Sequence, residues 1–435
     1  MVVTRLKALL FAALMLCSFA TAAIEFKPGV GIGLEYTDNA TLVADNPVDD
    51  LIAIGYLGAN LVQADGPLRA DISAELNHVR YTKDTFDDQR YLFLSAVADW
   101  EMVKDRFDWF LNNYYNQRSI NVADPNTPDN LQDTNLFVFG ADWFWPVTGR
   151  QTVTVTPEYR NFYYEFQPTD NQQLALAASW DYNLTPLTTV GVLGSVRAVE
   201  YDEPVINDVT FSSILFAFAT QRVNSDFNTN LGFTDVDREN GQTTEEFAGF
   251  VDWVFKFSDL TQLRTFVSSD LTDTSSAVLS GTVDPGTGDP NDIQVSTDVI
   301  RNKVISLGLT RTYRTVESSL TGELRDLNDS ESPNDQTIFT VRAVFNYPVT
   351  AVLTSGLYAW YNNTEFTDFG RIDDNITIGA NAGYRLTRNL NSTFDLKYRN
   401  RDSSLAAENF DEWSFYVSLA YGFGQPLRPT RAGGF

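Results

Sequence analysis

The sequence predicts an all-β chain closing into a transmembrane antiparallel up-and-down β-barrel of about 20 strands, with about 18 as the rival count. Three observations carry this: apolar residues at every second position over long runs, tight turns alternating with long polar connections, and an export-type beginning. Period two means strand, because successive side chains point to opposite faces.

Taking the chain in order, residues 1–22 read as a secretory signal peptide. Arg5 and Lys7 precede an apolar run from Ala8 to about Ala20, and Ala20-Thr21-Ala22 is a small-x-small cleavage site. Bulky Leu16 before Cys17 disfavours lipoprotein processing. Cleavage after Ala22 removes the only cysteine, and with it any disulfide or thiolate chemistry. Residues 23–423 then form the barrel, and 424–435 a C-terminal tail.

No stretch is long and apolar enough for a helical span. Mean hydropathy is −0.20, yet the chain holds 31 Phe, 19 Tyr and 8 Trp. A net charge of −26 excludes nucleic acid as a partner, because phosphate binding needs a basic surface. Strands that are apolar on one face only escape hydropathy windows, as they do in outer-membrane barrels.

The strands show this directly. Leu68, Ala70, Ile72, Ala74 and Leu76 alternate with Arg69, Asp71, Ser73, Glu75 and Asn77. Leu92 to Trp100, Phe137 to Trp145, Leu174 to Tyr182, Phe339 to Tyr347, Ile376 to Tyr384 and Trp413 to Phe423 repeat the pattern. Such runs of about 9 to 13 residues suit tilted membrane strands, whereas soluble strands average about 5 or 6. That length disfavours a soluble sandwich or propeller. The segments 52–63, 208–222 and 299–311 do not reveal their faces, and Arg301 and Lys303 are expected near a rim.

Tight turns are expected at 64–67, 103–106, 146–149, 183–186, 223–226, 258–261, 313–316, 347–350 and 386–389. Longer polar stretches, such as 119–133 and 272–297, lie between them, which is the asymmetry of periplasmic turns and extracellular loops. Trp100, Trp109, Trp143, Trp145, Trp180 and Trp253 cluster toward the turn rim, and Trp360 and Trp413 toward the other. Aromatics at headgroup depth anchor a barrel in lipid.

The stretch VGIGLEYTDNATL (30–42), followed by hairpins whose turns come just after an aromatic, resembles the putative β-barrel porin 2 family. Within it, the nearest likeness is to outer-membrane proteins associated with exopolysaccharide and exosortase (PEP-CTERM) gene clusters. The resemblance spans nearly the whole chain after residue 22; it is one of pattern, with EYTDN (35–39) as its local cue. It implies a Gram-negative outer-membrane barrel serving polysaccharide export or surface assembly, with lipid and periplasmic export components as partners. It brings no catalytic motif and no cofactor.

Alternation also assigns the lumen. Glu35, Asp71, Glu75, Asp99, Asp108, Asp142, Glu158 and Asp181, with Arg69, Arg160 and Arg197 among them, predict an acidic wall in the first half. Lys256, Arg264, Arg325, Arg342, Arg385, Lys397 and Arg399, with Asp252, Glu323 and Asp395, predict a basic wall in the second. Opposed walls set up a transverse field that tunes selectivity; the plainer reading is pairing between adjacent strands. Inward Tyr91, Phe93, Phe110, Tyr114, Phe250, Tyr358, Trp360 and Tyr416 either stack on sugar rings or fill space.

The loop from Thr272 to about Val295 is the expected constriction. Its DPGTGDPND carboxylates lack the spacing of a calcium loop and read as a solvated turn. Enzymatic chemistry would rest on the single histidine, His78, with no nucleophile motif beside it. That inventory also lacks a His or Cys metal cluster. Strands beginning by about Val30 leave no room for an N-terminal plug domain. Phe423 is the aromatic strand end that barrel-assembly machinery reads. The expected role is conduction; the alternative is a closed structural or surface-anchoring barrel.

Overall fold

The computed structural model describes residues 24–283, 293–329 and 335–422. The expected signal peptide, Cys17, the DPGTGDP turn, Phe423 and the tail lie outside the described residues. All 20 strands belong to one antiparallel sheet that closes on itself.

In chain order the first ten are β1 (Glu25–Thr37), β2 (Asp50–Gln63), β3 (Leu68–Tyr81), β4 (Gln89–Val103), β5 (Phe107–Ser119), β6 (Leu131–Thr148), β7 (Gln151–Tyr164), β8 (Asn171–Thr185), β9 (Thr188–Tyr201) and β10 (Val209–Arg222). They are followed by β11 (Ser225–Arg238), β12 (Thr243–Ser258), β13 (Thr261–Asp273), β14 (Val299–Tyr313), β15 (Val316–Asp329), β16 (Gln336–Pro348), β17 (Leu353–Phe366), β18 (Arg371–Arg385), β19 (Leu390–Ser403) and β20 (Phe410–Tyr421). Each strand pairs with the next, and β1 pairs with β20 from Val30↔Tyr421 to Thr37↔Ser414. Closure removes the sheet edges that lipid cannot solvate.

The nine tight turns expected from sequence fall at every second junction, from β2–β3 through β4–β5 to β18–β19. Arg301 and Lys303 lie at the loop end of β14, as expected. Outward positions carry Leu176, Phe216, Phe233, Phe247, Leu307 and Ile378, all well exposed in the isolated chain. This apolar exterior is stable only against hydrocarbon. No described helix is long and apolar enough to cross a membrane.

The wall is not uniform. The β12–β13 ladder stops at Gly249↔Ser269, while β12 continues along β11 to Thr243 and β13 continues along β14 to Asp273. Above that point Leu271 and Val299 pack against inward-facing Val199, Val209, Phe211 and Val236. Arg301 of β14 likewise reaches inward-facing Glu246 of β12. The tip of the β13–β14 hairpin has therefore stepped inside the barrel, and it carries helix α1 (Thr274–Val283) with it.

Candidate functional site in the lumen

The constriction expected at 272–297 enters the lumen in its described parts. Ala277, Val278 and Leu279 of α1, with Ile293 and Val295, form one apolar cluster with Leu136, Val138, Phe162 and Tyr164 on one wall and Ile300, Leu327 and Ile338 on the other. The segment thus bridges the barrel interior. Its polar anchor is the ion pair of Arg197 with buried Asp273. Asp273 also caps α1, accepting from the Ser276 amide at 2.9 Å. Tyr164 Oη donates to Ser275 at 3.1 Å, and Arg118 donates to the Ile293 carbonyl at 3.2 Å.

A second loop, 120–130, crosses the same mouth. Arg371 and Arg401 donate to the Ala123 carbonyl at 2.6 and 3.3 Å. Both guanidiniums gather around Asp373, itself wholly buried. Gln294 Nε2 donates to the Ile120 carbonyl at 3.0 Å, tying the two crossing segments together.

Lumen charges are arranged as neighbours more than as opposed walls. On the second half of the barrel Lys256 meets Asp226 at 2.9 Å, and Arg264 grips Asp252 through two bonds of 2.9 and 3.0 Å. Arg325 lies 3.4 Å from Glu323, and Arg399 binds Glu412. Arg385 donates to the Ala351 carbonyl at the turn rim, and Lys397 sits opposite Gly379. On the first half Glu158 pairs with Arg160, and Glu35 occupies an inward position of β1 beside Tyr416. Glu75 is buried. Asp142 accepts from Thr156 at 2.6 Å, and Asp181 from Ser179 at 3.0 Å. Asp71 accepts from Asn60 at 3.2 Å. Asp108 stands opposite Glu101 and Asp142, with Asp99 opposite Arg69. The carboxylates of β3 to β6 are therefore concentrated toward the turn rim.

Trp100, Trp143, Trp145, Trp180 and Trp253 are exposed on the outer face near the turns, and Trp413 near the loops. Trp109 stacks on outward Phe139, with centroids 5.1 Å apart. Trp360 is different. Alternation against exposed Leu357 turns it inward, at mid-height of β17, where it stacks on Tyr358 with centroids 5.1 Å apart and planes at 19°. The outer-rim placement of Trp360 is corrected: Tyr361, its neighbour, takes the outward position. The other inward aromatics divide between a Phe250–Phe266 stack at 6.2 Å, Phe110 and Tyr114 against the crossing segment, and Tyr91 and Tyr416 in a second apolar cluster. Phe93 sits opposite Glu75. His78 faces outward at the loop rim, 3.8 Å from Asp88. Sequence reasoning did not identify Asp273, Arg371, Asp373 or Arg401, because the partners that place them in the lumen, Arg197 for Asp273 and the Ala123 carbonyl for the two arginines, are far away along the chain.

A closed barrel with an apolar exterior, aromatic rims and a polar lumen defines an integral β-barrel of the outer-membrane class. Residues 335–423, which span β16 to β20, match the family described as Putative beta-barrel porin 2. Among solved structures, the FrpB iron transporter of Neisseria meningitidis (F3-3 variant) is similar with a TM-score of 0.51 at 9% identity, covering 91% of this chain and 81% of that chain. A mutant of the ferric enterobactin receptor PfeA of Pseudomonas aeruginosa is similar with a TM-score of 0.51 at 9% identity, covering 93% of this chain and 81% of that chain. At such identities the likeness is one of fold. No curated protein matches this chain.

Proposed function

We propose that this protein is a channel of the Gram-negative outer membrane, conducting hydrophilic solutes past a constriction built from its own sequence. The observation that carries the reading is the segment folded inward from β13, held by Arg197 and Asp273 against an otherwise polar lumen. A wide barrel encloses a channel unless something narrows it, and an inward loop sets the size limit while paired charges orient dipolar solutes. The finer reading is passage or surface assembly of a polysaccharide, working with periplasmic export components and inserted by the barrel-assembly machinery. No catalytic or cofactor role enters it.

Single-channel conductance of the refolded protein in a planar bilayer tests this. Discrete steps interrupted by added oligosaccharide support the channel and its finer reading. A folded, heat-modifiable barrel that stays silent overturns it. Silence instead favours the second reading, a closed structural barrel, for which the two segments crossing the mouth speak.

A further inference from the structure

The outer face of the barrel is acidic at its loop end on strand after strand. Asp133 of β6, Glu200 of β9, Asp235 of β11, Glu365 of β17, Asp402 of β19 and Asp411 of β20 all stand on the outward side there. Lys303 of β14 is set against Asp326, 3.8 Å away. Strands β3 and β4 break this collar. His78 and Arg80 occupy the last outward positions of β3, and Arg90, paired opposite His78, the first of β4. All three are exposed. Asp88 lies 3.8 Å from His78, while neither guanidinium makes a hydrogen bond or ion pair among the described residues. Diagonal neighbours on a sheet face stand about 7–8 Å apart, so Arg80 and Arg90 form a gap between two cations. Below them on the same face, Leu76 pairs with Leu92 and with Leu57 of β2. Beside His78 lies Gly55, where an added Cβ would meet nothing within 4 Å.

We infer that His78, Arg80 and Arg90 bind the phosphate of a lipid in the outer leaflet. Long loops face outward in barrels of this class, which puts the patch at headgroup height with hydrocarbon beneath it. Two guanidiniums across a gap offer charge-assisted forks to one phosphate, and the imidazole N–H of His78 adds a donor. Leu57, Leu76 and Leu92 take the acyl chains, and the open place over Gly55 leaves room for the headgroup. Elsewhere around the rim carboxylates repel the phosphate, so the lipid is held at one place. Free phosphate would use the arginines but has no use for the leucines, which decides for a lipid.

Native mass spectrometry of the full chain refolded in detergent tests the site, with diphosphoryl lipid A, phosphatidylcholine and inorganic phosphate as probes. Lipid A, whose phosphates are monoesters, is expected to bind as one retained copy. Phosphatidylcholine, whose phosphate is shielded by its own ammonium, is expected to bind about tenfold more weakly. Arg80→Gln combined with Arg90→Gln is expected to weaken lipid A binding about tenfold. Arg311→Gln removes an exposed outward charge at the turn rim and is expected to leave it unchanged. Heat-modifiability shows that each variant is folded. Equal retention of lipid A by wild type and the double variant overturns the proposal, as does an equal loss in Arg311→Gln. Binding of inorganic phosphate without lipid A overturns the assignment to a lipid. No arm depends on conductance, so a silent barrel removes the channel reading and leaves this site to stand or fall on its own result.

Discussion

The phenol of Tyr56, on β2, crosses the whole of β1 to donate a hydrogen bond to the Leu419 carbonyl of β20, 3.1 Å away. It passes over Gly31, where any Cβ would occupy the space of the ring. The first, second and last strands are thus fastened across the seam where the sheet closes. Tyr416 covers Gly33 from the opposite side. An aromatic laid over a strand glycine restores the packing that the glycine lacks. Gly31→Val is expected to displace the ring and cost about 1–3 kcal/mol. Tyr56→Phe keeps the ring and is expected to lose only about 1 kcal/mol. Denaturant unfolding in micelles gives both values, and a Gly31→Val cost no greater than that of Tyr56→Phe would remove the seam argument.

The inward segment depends on one ion pair. Asp273 is buried and Arg197 nearly so, with the Arg197 guanidinium also 4.2 Å from the centre of the Phe211 ring. Removing one partner leaves the other buried without its counter-charge, a loss of about 3 kcal/mol. Arg197→Gln is therefore expected to speed amide exchange of residues 274–279 and to raise conductance. The double variant Arg197→Gln with Asp273→Asn is expected to recover part of the protection, since no uncompensated charge remains. Unchanged exchange in Arg197→Gln would show that the apolar cluster alone holds the segment.

That segment also marks the boundary of what the sequence reveals. Strand count and turns were legible because alternation and turn chemistry are local, and Leu174 to Tyr182 needs no partner to read as a strand. Which aromatic face meets lipid was less so. Alternation puts Tyr358 and Trp360 inward, yet Trp360 was also expected at the outer rim, because Tyr361 on the opposite face makes both faces of this strand aromatic. The two charge walls were an expectation from alternation alone, and the bonds of Arg399 to Glu412 and of Lys256 to Asp226 depend on strand register. Register follows from pairing across strands, not from either strand alone.

The grip of β18 and β19 on the loop 120–130 gives a third prediction. Asp373 accepts from Arg371 at 2.8 Å through each oxygen and from Ser403 at 2.5 Å. Glu408 stands further off, 3.7 Å from Arg371 and 3.9 Å from Arg401. Asp373→Asn leaves two nearly buried guanidiniums with only the more distant Glu408 and Asp124 as counter-charges, and they are expected to turn away from the Ala123 carbonyl. The loop then loosens. Endoproteinase Asp-N, which cuts before aspartate, is expected to cleave at Asp124 and Asp129 faster in the variant. Identical digestion of variant and wild type would mean that the Gln294 and Gln167 bonds to the Ile120 carbonyl suffice to hold the loop.

Adjacent residues on one strand test the membrane itself. Leu176 and Ala177 lie side by side in the middle of β8, Leu176 exposed on the outer face and Ala177 turned toward the lumen. An arginine at position 176 must enter hydrocarbon near the midplane, a cost of about 2–4 kcal/mol. At position 177 the same side chain meets water and the polar interior, so the cost is expected to stay within about 0.5 kcal/mol. In a soluble barrel the order would reverse, because the outer face would be wet and the inside packed. Unfolding free energies of Leu176→Arg and Ala177→Arg in lipid vesicles therefore read the orientation of the whole wall. A larger loss at Ala177 than at Leu176 would overturn the transmembrane assignment, since alternation propagates from that pair to every paired strand.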